Sequence, residues 1–192
     1  MVPGGRSASV GVGGYPLGGG NSFFAARVGL NCDSVRTYEV VLATGEILEV
    51  SRDSYPGLFR ALRGVSNNFG IVTRFDTAVF SQQADIWAGV VVYEPSVITE
   101  YVSAATQRTE NIARDPYAAW VAIVHYNSTT DQTLVFTILV HTQPVVDRRP
   151  VIFEDFYHLP NVMDTIRPST ILNFTTANNL PLGYRYGQGL EQ

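Results

Sequence analysis

The stretch that decides the fold runs Gly4-Gly-Arg-Ser-Ala-Ser-Val-Gly-Val-Gly-Gly-Tyr-Pro-Leu-Gly-Gly-Gly20. Eight of the chain's 17 glycines stand in it, at positions 4, 5, 11, 13, 14, 18, 19 and 20. Glycines at this density let several backbone N–H groups converge on one anion with no side chain in the way. A diphosphate is the natural guest, because its charge is met by dipoles rather than by lysines. Two common phosphate motifs fail on inspection. No lysine follows any of these glycines, so there is no G-x-x-x-x-G-K-[ST] loop. Gly11 and Gly13 have the spacing of a G-x-G-x-x-G, but position 16 is proline. The competing reading is a set of tight turns or a flexible linker.

Beyond this loop, composition sets the bounds. At 192 residues the chain has room for one large domain or two small ones, with a real core. Hydrophobic residues at 45% and charged ones at 16% mark an ordered globular protein. A net charge of −4 and a pI near 5.3 argue against a nucleic-acid groove built on bulk positive field. The longest apolar stretch, Tyr117 to Val124, is far too short to span a bilayer. The single cysteine, Cys32, excludes an internal disulfide framework and a zinc site built on several thiolates. Met1-Val-Pro-Gly-Gly5 has neither a basic n-region nor an apolar h-region, and the compartment stays open. A dense backbone-only site at residue 4 has no support before it, which implies that the start of its domain is missing. A flexible N-terminal tail is the plainer alternative.

Downstream, Tyr38 to Ala43 and Ile47 to Val50 read as a hairpin across Thr44-Gly45. Pro56 to Arg63 reads as a short helix ended by Gly64, with Leu58, Phe59 and Leu62 on one face. Ile71 to Phe80 alternates like a strand. Ser81-Gln-Gln-Ala-Asp85 looks like a connector and sets the expected boundary, giving domains 1–80 and 81–192. Ile86 to Tyr93 is a predicted strand. Pro95 to Arg114 is a predicted amphipathic helix with Ile98, Tyr101, Val102, Ala105 and Ile112 on its apolar side. Ala118 to Tyr126 and Thr133 to His141 form an expected antiparallel hairpin, and Pro150 to Leu159 a short helix carrying Phe153 and Phe156. The last 30 residues are turn-rich, with no clear final element.

A second constellation, Arg63-Gly-Val-Ser-Asn-Asn-Phe-Gly-Ile-Val-Thr73, leads from helix to strand. Gly70 allows close approach at the strand entrance, and Asn67 or Asn68 could cap or bind. Alone it is a weak signal, better read as a turn with Asx hydrogen bonds. Ser9 to Phe24, then Arg27-Val-Gly29, Cys32-Asp-Ser-Val35, Tyr38 to Ala43, Leu58 to Gly64 and Asn68 to Thr73 together resemble the berberine-bridge-enzyme-like FAD-linked oxidoreductases. These belong to the vanillyl-alcohol-oxidase superfamily with a PCMH-type FAD-binding domain, and the sequence has a fungal character. The specific resemblance covers residues 9 to about 80. The remainder, including Trp87-Ala-Gly89, is similar to the family's substrate domain in general pattern only.

The resemblance implies an α+β fold: the second half of a PCMH-type FAD-binding domain, then part of a substrate domain of antiparallel sheet and helices. It implies FAD as cofactor. Gly11, Val12, Gly13 and Gly14, with Gly18, Gly19 and Gly20, match the loop along the FAD pyrophosphate and flavin. Gly70, Ile71 and Val72 match the strand entrance whose backbone contacts the adenine end. Asp33 and Val35 match the D-x-V element after the loop, although Asp33 reads equally as a turn-capping carboxylate. There are departures as well. Ser7 stands where doubly linked members have a cysteine, and a hydroxyl cannot make the thioether. The upstream R-x-G-G-H-like segment is absent, Pro16 lacks an N–H, and Val65 replaces a usual glycine. The family's late Y-x-N-like segment is not recognisable before Gln192, so the chain resembles the middle of an oxidase.

Other residues are better read as structure. His125 and His141 fall in different rungs of their hairpin, which argues against a metal site, and His158 lies elsewhere. Cys32 reads as a small buried hydrophobe beside the loop. Tyr93, Trp120, Tyr126 and Phe136 could line a pocket over a flavin, although core packing suits each better. Ser22 sits in no G-x-S-x-G elbow. Asn127-Ser-Thr129 and Asn173-Phe-Thr175 are sequons whose meaning depends on secretion. The expected function is an FAD-dependent oxidoreductase passing a hydride from an alcohol, sugar or amine-type small molecule to FAD, with oxygen as acceptor. The alternative is a non-catalytic fragment or pseudo-enzyme. A nucleotide-sugar or mononucleotide binder lacks any supporting motif.

Overall fold

The computed structural model describes residues 1–66, 68–128, 131–144 and 149–179. Three single-turn helices come first: α1 (Gly14–Leu17), α2 (Ala25–Val28) and α3 (Asn31–Ser34). An antiparallel sheet follows, made of β1 (Val35–Val41), β2 (Ile47–Ser51) and β3 (Ile71–Thr77) in the order β2-β1-β3. Between β2 and β3 runs α4 (Pro56–Ala61). Residues 78–84 lead to a second antiparallel sheet with β4 (Asp85–Tyr93) at its centre. After α5 (Ile98–Glu110) come β5 (Ala118–Asn127) and β6 (Gln132–His141), and then α6 (Glu154–Tyr157). The short strands β7 (Met163–Asp164) and β8 (Arg167–Thr170) both pair with β4, and α7 (Ile171–Ala177) follows.

The first hairpin forms across Thr44-Gly45, with Val41 opposite Ile47 and Tyr38 opposite Val50. Gly45 has φ +85, the left-handed conformation this turn needs. β1 begins at Val35, three residues before the expected start. A register irregularity between Val35 and Thr37 lets Val35 and Tyr38 both point inward. They join Val40, Leu48, Val50, Phe59 and Leu62 in one core. Pro56 opens α4, where its missing N–H costs no helical bond.

The second sheet is covered on both faces. Val91, Tyr93, Val135 and Leu139 face α5 and α6 through Tyr101, Phe153 and Phe156. Ile86, Ala88 and Val140 meet Phe23 and Phe174 on the opposite side. The N-terminal segment and α7 therefore share one face of this sheet. The hairpin register pairs Ala118 with His141 and His125 with Leu134, so the two histidines do lie on different rungs.

Two expectations are corrected. The predicted helix over 95–114 is three pieces, with 3₁₀ turns at Pro95–Val97 and Ile112–Arg114 flanking α5. Its buried face is Tyr101, Ala104 and Arg108, while Ile98, Val102 and Ile112 are exposed. Asn111 leaves the helical conformation and breaks the register before Ile112. Tyr101 against Phe156 and Arg108 over Phe153 then set the rotation of the helix. The last 30 residues also contain more than turns. β8 pairs Asp85 with Thr170 and Ala88 with Arg167, and the Thr170 hydroxyl caps α7 by accepting from the Asn173 N–H.

Candidate functional site

The glycine loop is ordered by one helical turn and by the backbone behind it. The Tyr15 N–H donates to the Gly11 carbonyl at 3.2 Å, and the Gly18 N–H to that of Gly14 at 3.1 Å. Pro16 lies in the first turn of α1, where an N–H would have no intrahelical partner, so the proline is accommodated and buried. The Tyr15 hydroxyl donates to the Gly4 carbonyl at 3.1 Å, and burial pushes its pKa up to about 12. The Gly19 and Gly20 carbonyls accept the Cys32 and Asn31 N–H groups at 2.9 and 2.8 Å. Cys32 itself is buried beside the loop, and burial followed by Asp33 raises its thiol pKa.

The glycines divide into two kinds. Gly20 has φ +79, and a Cβ there would lie 2.7 Å from the Asn31 Cβ and 2.9 Å from the Tyr15 ring. That glycine is needed by the fold. Gly11, Gly13 and Gly14 have no positive φ, and a Cβ at any of them would meet nothing within 4 Å. The fold places no demand on these three. Gly11 and Gly14 instead line an open cavity of about 680 Å³ with Arg6, Ser7, Tyr15 and Asn21. Among the described residues, Arg6 is the one charged residue on that wall. Sequence reasoning passed over it, although its place directly after Gly4-Gly5 was the available signal.

The second constellation folds back onto the first. The Ser66 N–H donates to the Leu17 carbonyl at 2.9 Å, and a Cβ on Gly64 would stand 3.8 Å from the Gly19 nitrogen. Arg63 pairs with Asp33 and donates from Nε to the Cys32 carbonyl at 3.3 Å. Asp33 also accepts the Leu30 N–H at 2.9 Å, so it is a turn-capping carboxylate. The Val35 side chain is in the core. Asp33 and Val35 border a separate cleft of about 570 Å³, shared with Arg36 and Arg52, and not the cavity of the glycine loop. Gly70 has φ +150, and a Cβ there would lie 2.6 Å from the Val41 carbonyl oxygen, so close strand pairing requires it. Ile71 is exposed, and Val72 packs on the same apolar cluster as Leu17. Asn68 donates to the Val65 carbonyl at 2.9 Å and so braces its own turn, while Asn67 lies outside the described residues. Val12 is 81% exposed.

The remaining candidates separate clearly. His141 is buried, with Nε2 3.0 Å from Asp115 Oδ2 and Nδ1 3.0 Å from the Gln143 carbonyl. His125 is exposed and lies edge-on to Phe136. Tyr93 is in the core, donating to the Phe156 carbonyl at 2.9 Å, and Trp120 packs on Phe156. Tyr126 is exposed and bonds Asp131. Phe136 borders a cavity of about 430 Å³ between β4, β8 and α7. Ser22 is buried and accepts the Phe24 N–H.

No protein-family model matches the chain. Over 185 residues it is 55% identical to an FAD-dependent monooxygenase of Emericella nidulans, covering 96% of this chain and 38% of that protein. The chain is similar to FAD-dependent monooxygenases and to an FAD-linked oxidoreductase of Arthroderma benhamiae, which is 32% identical over 99% of this chain and 37% of that protein. A second FAD-dependent monooxygenase, from Aspergillus calidoustus, is 37% identical over 92% of this chain and 33% of its own length. Among solved structures, 6-hydroxy-D-nicotine oxidase from Arthrobacter nicotinovorans superposes with a TM-score of 0.75 at 23% identity, over 91% of this chain and 38% of that one. Xylooligosaccharide oxidase from Myceliophthora thermophila, solved with xylobiose, superposes with a TM-score of 0.70 at 23% identity, over 91% and 36%. These likenesses show the α+β fold expected from the sequence. The chain spans under two fifths of the length of the curated relatives it matches. Among the described residues, no helix is long and apolar enough to cross a membrane.

Proposed function

We propose that the chain supplies the cofactor loop and part of the substrate domain of an FAD-dependent oxidoreductase, with residues 1–80 and 81–192 as the two parts. FAD, when bound, supplies the hydride acceptor. The backbone of Gly11, Val12, Gly13 and Gly14 would hold the diphosphate, and Arg6 would add one positive charge to a site otherwise made of dipoles. Gly18, Gly19 and Gly20 would hold the flavin side, and Gly70, Ile71 and Val72 would hold the adenine end through their backbone. Asp33 and Val35 act from behind, holding the turn on which the loop rests. Ser7 forms no thioether, so this side of the site holds the cofactor without a covalent bond. The substrate is a small molecule with an alcohol, sugar or amine-type carbon, and oxygen would be the final electron acceptor.

One observation carries this reading: Gly11 and Gly14 have no conformational or packing reason to be glycine, yet they border a cavity beside Arg6. Gly14→Ala tests it. Adding a methyl there leaves stability within about 0.5 kcal/mol, as for other open sites. FAD affinity, followed by quenching of flavin fluorescence, falls at least about tenfold if the backbone must approach the ligand closely. Unchanged affinity in the variant would sink the proposal. The chain's share of its relatives' length favours a second reading, in which these residues alone hold no flavin. Absence of quenching with the parent chain supports that reading, and tight stoichiometric binding by a monomer on size exclusion rejects it.

A further inference from the structure

We infer that the cavity bounded by β4, β8 and α7 binds an organic carboxylate, with Arg167 as its charge partner. Arg167 lies opposite Ala88 in the β4–β8 pairing, so both side chains project from the same face of the sheet. The cavity measures about 430 Å³, within the range of roughly 300–1,000 Å³ typical of small-molecule sites. Among the described residues, Arg167 is the single charged one on its wall. No hydrogen bond or ion pair engages the guanidinium among the described residues. Asp164, the nearest acid in sequence, is already held by Arg149 at 2.6 Å and by the Ile166 N–H at 2.9 Å. A second wall residue, Asn173, has a side-chain amide without a partner among the described residues.

The remaining wall suits a flat hydrocarbon body. Ala88, Val90, Phe136 and Phe174 supply apolar surface around the arginine. A guanidinium set against such surface meets a carboxylate through two parallel hydrogen bonds, which an amide of the same shape cannot match. Phe174 also packs against Phe23, with ring centroids 5.8 Å apart, and Phe23 stands three residues beyond the last glycine of the loop. On the flavin reading given above, and resting on it, the ligand is the substrate, anchored here by an acid group remote from its reacting carbon.

Calorimetric titration of the full chain with 2-naphthoate and with its neutral analogue 2-naphthamide tests the site. The acid binds at least about tenfold more tightly than the amide, and Arg167→Gln abolishes that preference. Equal binding of acid and amide by the parent chain overturns the inference, even should the variant fail to fold. So does a folded Arg167→Gln chain that keeps the preference, or a parent chain that binds no naphthoate. FAD binding is measured separately by fluorescence quenching. Naphthoate binding without FAD binding would overturn the flavin reading and leave the carboxylate site standing.

Discussion

Tyr38 sits at the centre of β1 with no exposed surface, edge-on to both Phe59 and Phe75. Its hydroxyl is buried and meets no hydrogen-bonding partner among the described residues. Burial is the first cause that pushes its pKa up to about 12, from an ordinary value of 10.0. Between those two values the folded chain holds a proton that the unfolded chain has lost. Stability is therefore full below the unfolded value and falls as pH rises towards the folded one, by on the order of 2–3 kcal/mol. Tyr38→Phe removes this contribution and leaves neutral-pH stability within about 1 kcal/mol, since no hydrogen bond is lost. Urea denaturation across alkaline pH would show a shallower decline for the variant, and an unchanged decline would show that the tyrosine is not its source. The glycines make a parallel lesson at this scale. Gly20 and Gly70 are glycine for the fold, whereas a Cβ at Gly11, Gly13 or Gly14 would meet nothing within 4 Å.

Among the elements, the crossing of β7 and β8 over β4 depends on Gly89. A Cβ there would lie 2.4 Å from the Ile166 Cα and 2.5 Å from its nitrogen, both backbone atoms that no side-chain rotation can move. Gly89→Ala should cost roughly 1–3 kcal/mol through overpacking. Thermal unfolding should register the loss, and amide exchange should place it in β8 and α7. These were also the elements least legible in the sequence. β8 reads Arg-Pro-Ser-Thr and has no alternating apolar pattern, and its pairing with Asp85 to Ala88 is supplied from far along the chain. The hairpins were legible because their alternation and their turns are local. The apolar side of α5 differs from the expected one because its orientation comes from Phe153 and Phe156, which bury Arg108 and leave Val102 exposed. At the site, the glycine loop announced itself through composition. Arg6 and Arg167 did not, because only tertiary placement shows that an arginine on a cavity wall lacks a counter-charge.

For the whole molecule, the telling feature is where Arg27 lies. It follows the glycine loop in α2, and its guanidinium reaches the segment between the two sheets. One nitrogen donates to Gln82 Oε1 at 2.6 Å and another to the Ser81 carbonyl at 3.2 Å. The same group lies 4.6 Å from the centre of the Tyr117 ring and 5.4 Å from that of Phe80. Gln82 continues the contact by donating to the Thr142 carbonyl. Arg27→Ala should lower stability by about 1–3 kcal/mol, from the lost hydrogen bonds and cation–π contacts. Calorimetry should then show one melting transition broadening or splitting into two. A single sharp transition in the variant would mean that other contacts bind the halves together. The intact arrangement makes the two sheets thermodynamically linked. Free energy released by a ligand on one sheet is shared with the other, so a molecule bound beside Arg167 should slow amide exchange around the glycine loop, and a nucleotide at the loop should do the same for α7.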